Sequence, residues 1–152
     1  MHDPFAMRPF FGYNFGQYLA HWLSFGKRDD LRVPKIFHVN WFLKDEQTKE
    51  FLWPGFGENI RVIDWIFRRL TDDVTQQAAA RVTPIGYVPD QSKENGMRGE
   101  KVNPVLLEVS TDFWRNECQA MRKYFDEHVH GHLPDEITVE LDSLEARLAL
   151  AV

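Results

Sequence analysis

Three phenylalanines lie close together in the sequence, outside the spacing that a helical or strand core would give them. Phe42 ends an apolar run, and Phe51 and Phe56 follow on either side of a segment that contains proline and glycine. A flat aromatic ring on each side of a gap accepts a flat heterocycle, and a stacked base contributes roughly 1–3 kcal/mol. Because loops at strand ends are where ligands bind in α/β sheets, these rings are candidates for a purine-stacking site.

Stacking does not distinguish one purine from another, so a selective site also needs polar groups at the edge of the base. Asn59 follows Phe56 by three residues and carries an amide with both donors and an acceptor. The backbone around Glu58 is a second source of polar groups, since Gly55 and Gly57 allow close approach. The predicted binding residues are Phe42, Phe51, Phe56, Gly57, Glu58 and Asn59, with Trp41 and Trp53 flanking them.

The alternative is that these aromatic residues are structural, as aromatics near prolines and glycines often are. Aromatic residues make up 14% of the 152 residues, with 12 Phe and 5 Trp. A chain of one-domain size rarely buries all of them, so some line a pocket or contact another part of a larger protein. The start of the chain, which is dense in apolar residues at once, favours a segment of something longer.

Composition restricts the classes of partner. The formal net charge of −5 argues against a nucleic acid, which requires a basic face, and against an anionic membrane surface. No apolar stretch has the length of a membrane span, and the start lacks the pattern of a secretory signal. Cys118 is the only cysteine, so no internal disulfide forms. We therefore predict a cytoplasmic protein.

The spacing of apolar residues predicts an α/β fold with about four helices and a few short strands. The predicted helices cover residues 13–25, 59–70, 113–129 and a last stretch after Pro134. Asn59 is the predicted cap of the second helix, whose apolar stripe is Ile60, Ile63, Phe67 and Leu70.

The strand predictions concern two segments. Residues 36–42 are apolar on both faces and predict a central strand. Residues 82–88 predict a short strand interrupted by Pro84 and Gly86, and residues 89–103 predict a surface loop. Residues 1–12 predict an extended, buried start.

Several long, uncommon strings resemble the GTP-dependent phosphoenolpyruvate carboxykinases. They are MHDPFAMRPFFGYNFG (residues 1–16), YLAHWLS (18–24), IFHVNWF (36–42), FLWPGFGEN (51–59) and TPIGYVP (83–89). After Gln91 the likeness is one of helical pattern and length. The resemblance covers the whole chain but only about the last quarter of the family's length, so residues 1–152 are expected to be one segment, the C-terminal part of a mixed-sheet nucleotide-binding domain.

The resemblance implies a function for the larger protein. Members convert oxaloacetate and GTP to phosphoenolpyruvate, CO₂ and GDP in gluconeogenesis, and they use manganese or magnesium. Their guanine base lies between two phenylalanines that match Phe42 and Phe56, with a third that matches Phe51 at the wall. The loop that matches residues 56–59 reads the base, and the asparagine that matches Asn59 gives the polar contact.

The same resemblance implies which parts lie outside this sequence. The chain contains no GxxxxGK[ST] string to cradle phosphates. The family's phosphate loop, reactive cysteine, metal ligands and oxaloacetate-binding arginines all lie upstream, so we expect no catalytic or metal-binding residue here. The expected partners are a guanine nucleotide and the upstream remainder. The alternatives are a non-catalytic guanine nucleotide-binding module or a structural remnant.

Two other features have structural interpretations. Three alternating histidines resemble a metal-binding cluster: His128, His130 and His132. Because Gly131 and Pro134 indicate that a helix ends there, these side chains are predicted to be solvated. Cys118 lies within a helical pattern and is predicted to be a small, partly buried side chain.

The purified 152-residue chain is expected to show no carboxykinase activity. Without a metal and a phosphate clamp, phosphoryl transfer loses its main electrostatic stabilisation. A steady-state assay with oxaloacetate, GTP and manganese measures this directly, and turnover by the chain alone would contradict the prediction.

Overall fold

The computed structural model describes residues 7–151 and divides the chain into two compact units. The first unit comprises Met1–Lys35 and Ser110–Val152, and the second comprises Ile36–Val109. The helices and strands are α1 (Phe15–Gly26), α2 (Asn59–Arg69), β1 (Ala80–Thr83), β2 (Gly86–Pro89), α3 (Thr111–Val129) and α4 (Asp135–Leu150). Four helices with one two-stranded antiparallel sheet, within the described residues, confirm the predicted α/β class.

The start of the chain lies partly outside the described residues. Of the predicted extended stretch over residues 1–12, Arg8–Phe10 form a short 3-10 helix, which is a correction to that prediction. Prolines suit such a position because their φ is already close to the helical value. Within residues 7–151, each helix is too short or too polar to serve as a membrane span.

The core of the first unit forms where α1 meets the end of α3. Phe15 and Leu19, four residues apart on one face of α1, are buried together with Val129. Asn14 caps α1, because its Oδ1 accepts a hydrogen bond from the Gly16 N–H at 2.7 Å. Its Nδ2 donates to the carbonyl of Val129 at 3.1 Å, so the same side chain starts α1 and ties it to α3.

Helices α3 and α4 pack against each other, as two amphipathic helices joined by a short connection do. Leu141 and Leu148 of α4 are buried. Cys118 is also buried, and this desolvation raises the pKa of its thiol, in keeping with the structural role predicted for it. Arg122 donates to both carboxylate oxygens of Glu145 at 3.0 and 2.9 Å and so links the two helices.

The second unit is built from α2 and the β1–β2 hairpin. Trp65 is buried on α2, and its indole N–H donates to the carbonyl of Ala79 at 3.1 Å, beside the start of β1. The strands pair antiparallel from Ala80 opposite Pro89 to Thr83 opposite Gly86. The single strand predicted over residues 82–88 is therefore a hairpin, because proline and a glycine with a φ of 119° turn the chain there.

The central strand predicted over residues 36–42 is wrong. This segment has no regular structure, and Ile36 is 77% exposed. An apolar run indicates that a segment can be buried, but a strand also needs neighbours that pair with its backbone. Among residues 7–151, β1 and β2 pair only with each other.

The apolar stripe predicted for α2 exists, but it faces outward. Ile60, Ile63 and Leu70 are exposed, and Phe67 is 73% exposed. The inward face carries Trp65 and three arginine side chains instead. Arg69, the last residue of α2, donates to the carbonyl of Ala78 at 3.0 Å.

Replacing Gly16 by alanine is expected to destabilise the first unit. An added Cβ would lie 2.2 Å from the carbonyl oxygen of His132 and 2.5 Å from Cγ1 of Val129, and a backbone atom cannot easily move away. Overpacking of this kind costs about 1–3 kcal/mol of unfolding free energy.

Urea denaturation followed by far-UV circular dichroism measures this cost. Gly26→Ala is the matched control, since it lies at the other end of α1 with nothing within 4 Å of an added Cβ. Alanine there is expected to stabilise the helix by up to about 1 kcal/mol. Equal effects of the two substitutions would contradict the packing argument.

Candidate functional site

A folded-back loop brings Phe42 and Phe51 together. The backbone N–H of Leu52 donates to the carbonyl of Leu43 at 2.9 Å, which closes the loop next to both rings. The two ring centroids are 6.1 Å apart with an interplanar angle of 69°. Aromatic pairs prefer this edge-to-face arrangement, so the two rings stabilise each other's positions.

The tip of this loop is held by a carboxylate. Asp45 accepts hydrogen bonds from the backbone N–H groups of Thr48 and Gln47, both at 2.8 Å. These bonds hold the pKa of Asp45 below its usual range, since they stabilise the charged form. At the base of the loop, the ammonium of Lys44 lies 4.7 Å from the ring centroid of Phe51 and stabilises it by a cation–π contact.

The third phenylalanine is positioned by a glycine turn that leads into α2. Gly55 has φ 128° and ψ 178°, a conformation that essentially only glycine adopts. It is followed by a 3-10 helix, Phe56–Glu58, that continues directly into α2. The turn leaves the ring of Phe56 91% exposed.

Asn59 has a different role from the one predicted. It is the first residue of α2, not its cap, and residue 58 at the cap position makes no side-chain capping bond. The Oδ1 atom of Asn59 accepts a hydrogen bond from the indole N–H of Trp53 at 2.8 Å. Trp53 is buried, and a buried indole N–H requires a partner, so this bond decides the orientation of the amide.

These segments surround a cavity of about 260 Å³. Its lining comprises Trp41, Phe42, Phe51, Trp53, Gly55, Phe56 and Asn59. Pockets for small molecules usually measure about 300–1,000 Å³, so this one suits a single flat base better than a whole nucleotide. The high exposure of Phe42 and Phe56 leaves both rings accessible to such a base.

Four of the six predicted binding residues line this cavity, and two do not. Gly57 lies outside the lining and has no positive φ. Close approach of the backbone was predicted to need both glycines, but only Gly55 has a conformation that favours glycine and lines the cavity. The carboxylate of Glu58 accepts a hydrogen bond from Arg61 at 3.1 Å. Trp41 and Trp53, predicted as flanking residues, are part of the lining itself.

Sequence reasoning missed Arg61, which is only 9% exposed. A charged residue near the start of an amphipathic helix normally lies on the solvent face, so its sequence position suggested nothing unusual. The available signal was its spacing of four residues from Trp65, which places the two on the same face of α2.

A larger cavity of about 510 Å³ lies elsewhere in the second unit, and its lining is polar. It is lined by Arg68, Thr75, Gln76, Glu94, Asn95 and Arg98, and therefore has no aromatic ring on which a base could stack. Within residues 7–151, no group of three or more His, Cys, Asp or Glu side chains is arranged to hold a metal ion. Residues 7–151 therefore contain no ligand set of this kind for the manganese or magnesium that the resemblance implies.

Comparison with known proteins gives a consistent result along nearly the whole chain. The family profile described as "Phosphoenolpyruvate carboxykinase C-terminal P-loop domain" matches residues 1–147. The chain is 51% identical over 149 residues to the cytosolic phosphoenolpyruvate carboxykinase [GTP] of Gallus gallus, covering 97% of this chain and 23% of that protein. It is 51% identical over 150 residues to the mitochondrial enzyme of Homo sapiens, covering 97% and 22%. The chain thus spans less than a quarter of the length of these curated relatives.

Gly55→Ala is expected to destabilise the cavity, whereas Gly57→Ala is not. Alanine at position 55 meets no steric clash, but the observed φ and ψ strain any residue with a Cβ by about 1–3 kcal/mol. Position 57 has neither a clash nor a positive φ. Urea unfolding followed by tryptophan fluorescence measures both variants. The assignment of the backbone requirement to Gly55 fails if Gly57→Ala costs as much stability.

Proposed function

Because the chain belongs to the GTP-dependent phosphoenolpyruvate carboxykinase family, we propose that its cavity between residues 41 and 59 binds the guanine base of GTP or GDP. The observation that carries this proposal is the sharing of one cavity by Phe42, Phe51, Phe56 and Asn59. Three aromatic rings supply stacking surface, which binds any base, and one amide supplies a polar contact at the base edge.

The orientation of Asn59 supports guanine over adenine. Its Oδ1 is engaged by the Trp53 indole, so the Nδ2 hydrogens are the part of the amide left to offer to a ligand. Guanine presents acceptors at O6 and N7, whereas adenine presents an amino group where guanine has O6. At that position an amide that offers donors therefore pairs with guanine O6, whereas it cannot pair with the amino group of adenine.

The activity of a larger protein that contains this segment follows from the same family membership. We propose that such a protein converts oxaloacetate and GTP to phosphoenolpyruvate, CO₂ and GDP in gluconeogenesis, and that this segment contributes recognition of the base. Manganese or magnesium, with its ligands, would be supplied by upstream residues. The relatives carry both cytosolic and mitochondrial names, so the cytoplasmic location stays a prediction.

The exposed stripe of α2 supports the upstream remainder as a partner. Ile60, Ile63 and Phe67 form an apolar row on one helix face, and an exposed apolar patch commonly marks a surface that another protein segment covers. The relatives are more than four times as long as this chain. We therefore assign the stripe to contact with the rest of the carboxykinase.

Tryptophan fluorescence of the purified chain, titrated in parallel with GDP and ADP, tests the binding proposal. Trp41 and Trp53 line the cavity and should report a stacked base. A saturable change with GDP and none with ADP is expected. No change with either nucleotide, in a chain shown to be folded, would contradict guanine binding by this chain and favour a structural role for the aromatics.

Phe42→Ala and Phe56→Ala are each expected to weaken GDP binding about 5- to 150-fold, which corresponds to the roughly 1–3 kcal/mol of a stacked base. Phe67→Ala is the matched control, since it removes another largely exposed ring from the same unit outside the cavity. Its affinity for GDP is expected to equal that of the unaltered chain. A similar loss in all three variants would point to a general effect and not to stacking.

A further inference from the structure

Arg61 is the only charged side chain among residues 7–151 that is buried. Taking a guanidinium out of water is unfavourable unless its donors are paired, so a buried arginine must be held by a set of specific acceptors. Arg61 is the third residue of α2, and its guanidinium carbon lies 6.0 Å from the ring centroid of Trp53. It is not part of the cavity lining, but it contacts a residue that is.

The guanidinium of Arg61 joins separate segments of the second unit. Its Nε donates to the carbonyl of Arg98 at 2.7 Å, and its Nη2 donates to the carbonyl of Glu100. Its Nη1 donates to the carboxylate of Glu58 at 3.1 Å. A planar fork satisfies three acceptors in fixed directions, which a lysine ammonium cannot reproduce.

The loop of residues 98–100, whose carbonyl groups accept the hydrogen bonds of Arg61, has a backbone conformation that leaves space for the guanidinium. Gly99, between the two accepting carbonyls, has a φ of 89°, in the region that favours glycine. A Cβ at this position would lie 2.7 Å from Nε of Arg61 and 3.0 Å from its Cζ. The backbone conformation therefore favours glycine here, and a Cβ would displace the guanidinium of Arg61 from its present position.

The contact with Trp53 connects this arginine to the base-binding cavity. Trp53 has the guanidinium near its ring and donates its indole N–H to Asn59. The position of the ring sets the direction of that hydrogen bond, and the hydrogen bond sets which end of the Asn59 amide is free. A change in the position of Trp53 therefore changes what Asn59 offers to a ligand.

We infer that Arg61 is a positioning residue for guanine selection, which acts by holding Trp53 and Glu58 and thereby orienting the Asn59 amide. The inference rests on the proposed binding of guanine in the adjacent cavity. According to this inference, Arg61 lies outside the cavity but determines whether the Asn59 amide offers a donor or an acceptor to the edge of the base.

Arg68 provides a matched control on the same helix. Its side chain is 13% exposed, and it too has three acceptors: the carboxylate of Asp64 at 2.9 Å and the carbonyls of Asn95 and Gly96 at 2.9 and 2.7 Å. It borders the larger polar cavity and does not line the aromatic one. Arg61→Lys and Arg68→Lys therefore remove equivalent hydrogen-bond sets, of which only one leads to Trp53.

The experiment compares the two variants with the unaltered chain by two readouts. The first is the exchange rate of the Trp53 indole N–H, measured without nucleotide by NMR of the chain with ¹⁵N-labelled tryptophan, with the resonance assigned from Trp53→Phe. The second is the ratio of the dissociation constants for ADP and GDP. Arg61→Lys is expected to speed the exchange and to lower the ratio, each about five- to tenfold, as loss of one hydrogen bond would. Arg68→Lys is expected to change neither.

Three other results would contradict either the positioning role of Arg61, its role in guanine selection or the proposed function. If Arg61→Lys and Arg68→Lys leave the indole exchange equally unchanged, or change it equally, the positioning role is overturned. If Arg61→Lys speeds the exchange but leaves the ADP to GDP ratio unaltered, the claim about guanine selection is overturned. If the unaltered chain binds no GDP, the proposed function of this chain fails, while the indole exchange still decides whether Arg61 positions Trp53.

Discussion

The hydrogen bond from the indole of Trp53 to the amide of Asn59 closes the short loop that carries Phe56. Both groups lose water when the loop packs, so neither can be left without a partner. The loop closes only because Gly55 adopts a conformation closed to other residues. The hydrogen bond between Trp53 and Asn59 thus accounts for the position of the Phe56 ring, the need for glycine at position 55 and the orientation of the Asn59 amide in the cavity.

Next to this loop, arginine side chains connect the segments of the second unit, whereas apolar side chains do so in the first unit. Arg61 and Arg68 turn inward on α2 and donate to carbonyl groups of residues 95–100, whose backbone belongs to neither strand. A segment without a sheet partner must satisfy its carbonyls in another way, and guanidinium groups supply several donors at once. Because the arginines occupy the inward face, the apolar stripe with Phe67 faces outward.

Prediction from the sequence succeeded where local pattern decides the outcome and was incomplete where distant residues decide it. The third helix was expected over residues 113–129 and is Thr111–Val129, because periodicity and helix-end residues are local signals. The strand expected over residues 36–42 is absent because pairing depends on a neighbour elsewhere in a chain. Of the six residues predicted to form one site, Phe42, Phe51, Phe56 and Asn59 line a single cavity, whereas Gly57 and Glu58 lie outside its lining.

The sequence by itself determined the helices and the clustering of aromatic residues around the 51–59 segment, because both depend on residues near one another in the chain. It also determined the carboxykinase family, because long strings of residues match that family. The tertiary structure decided which face of α2 is buried, which glycine is required and which end of the Asn59 amide is free. These depend on contacts such as that of Arg61 with residues 98–100, about forty positions away along the chain. The physical reason is that the cost of burying a polar group is set by its partners in space, and local sequence does not specify them.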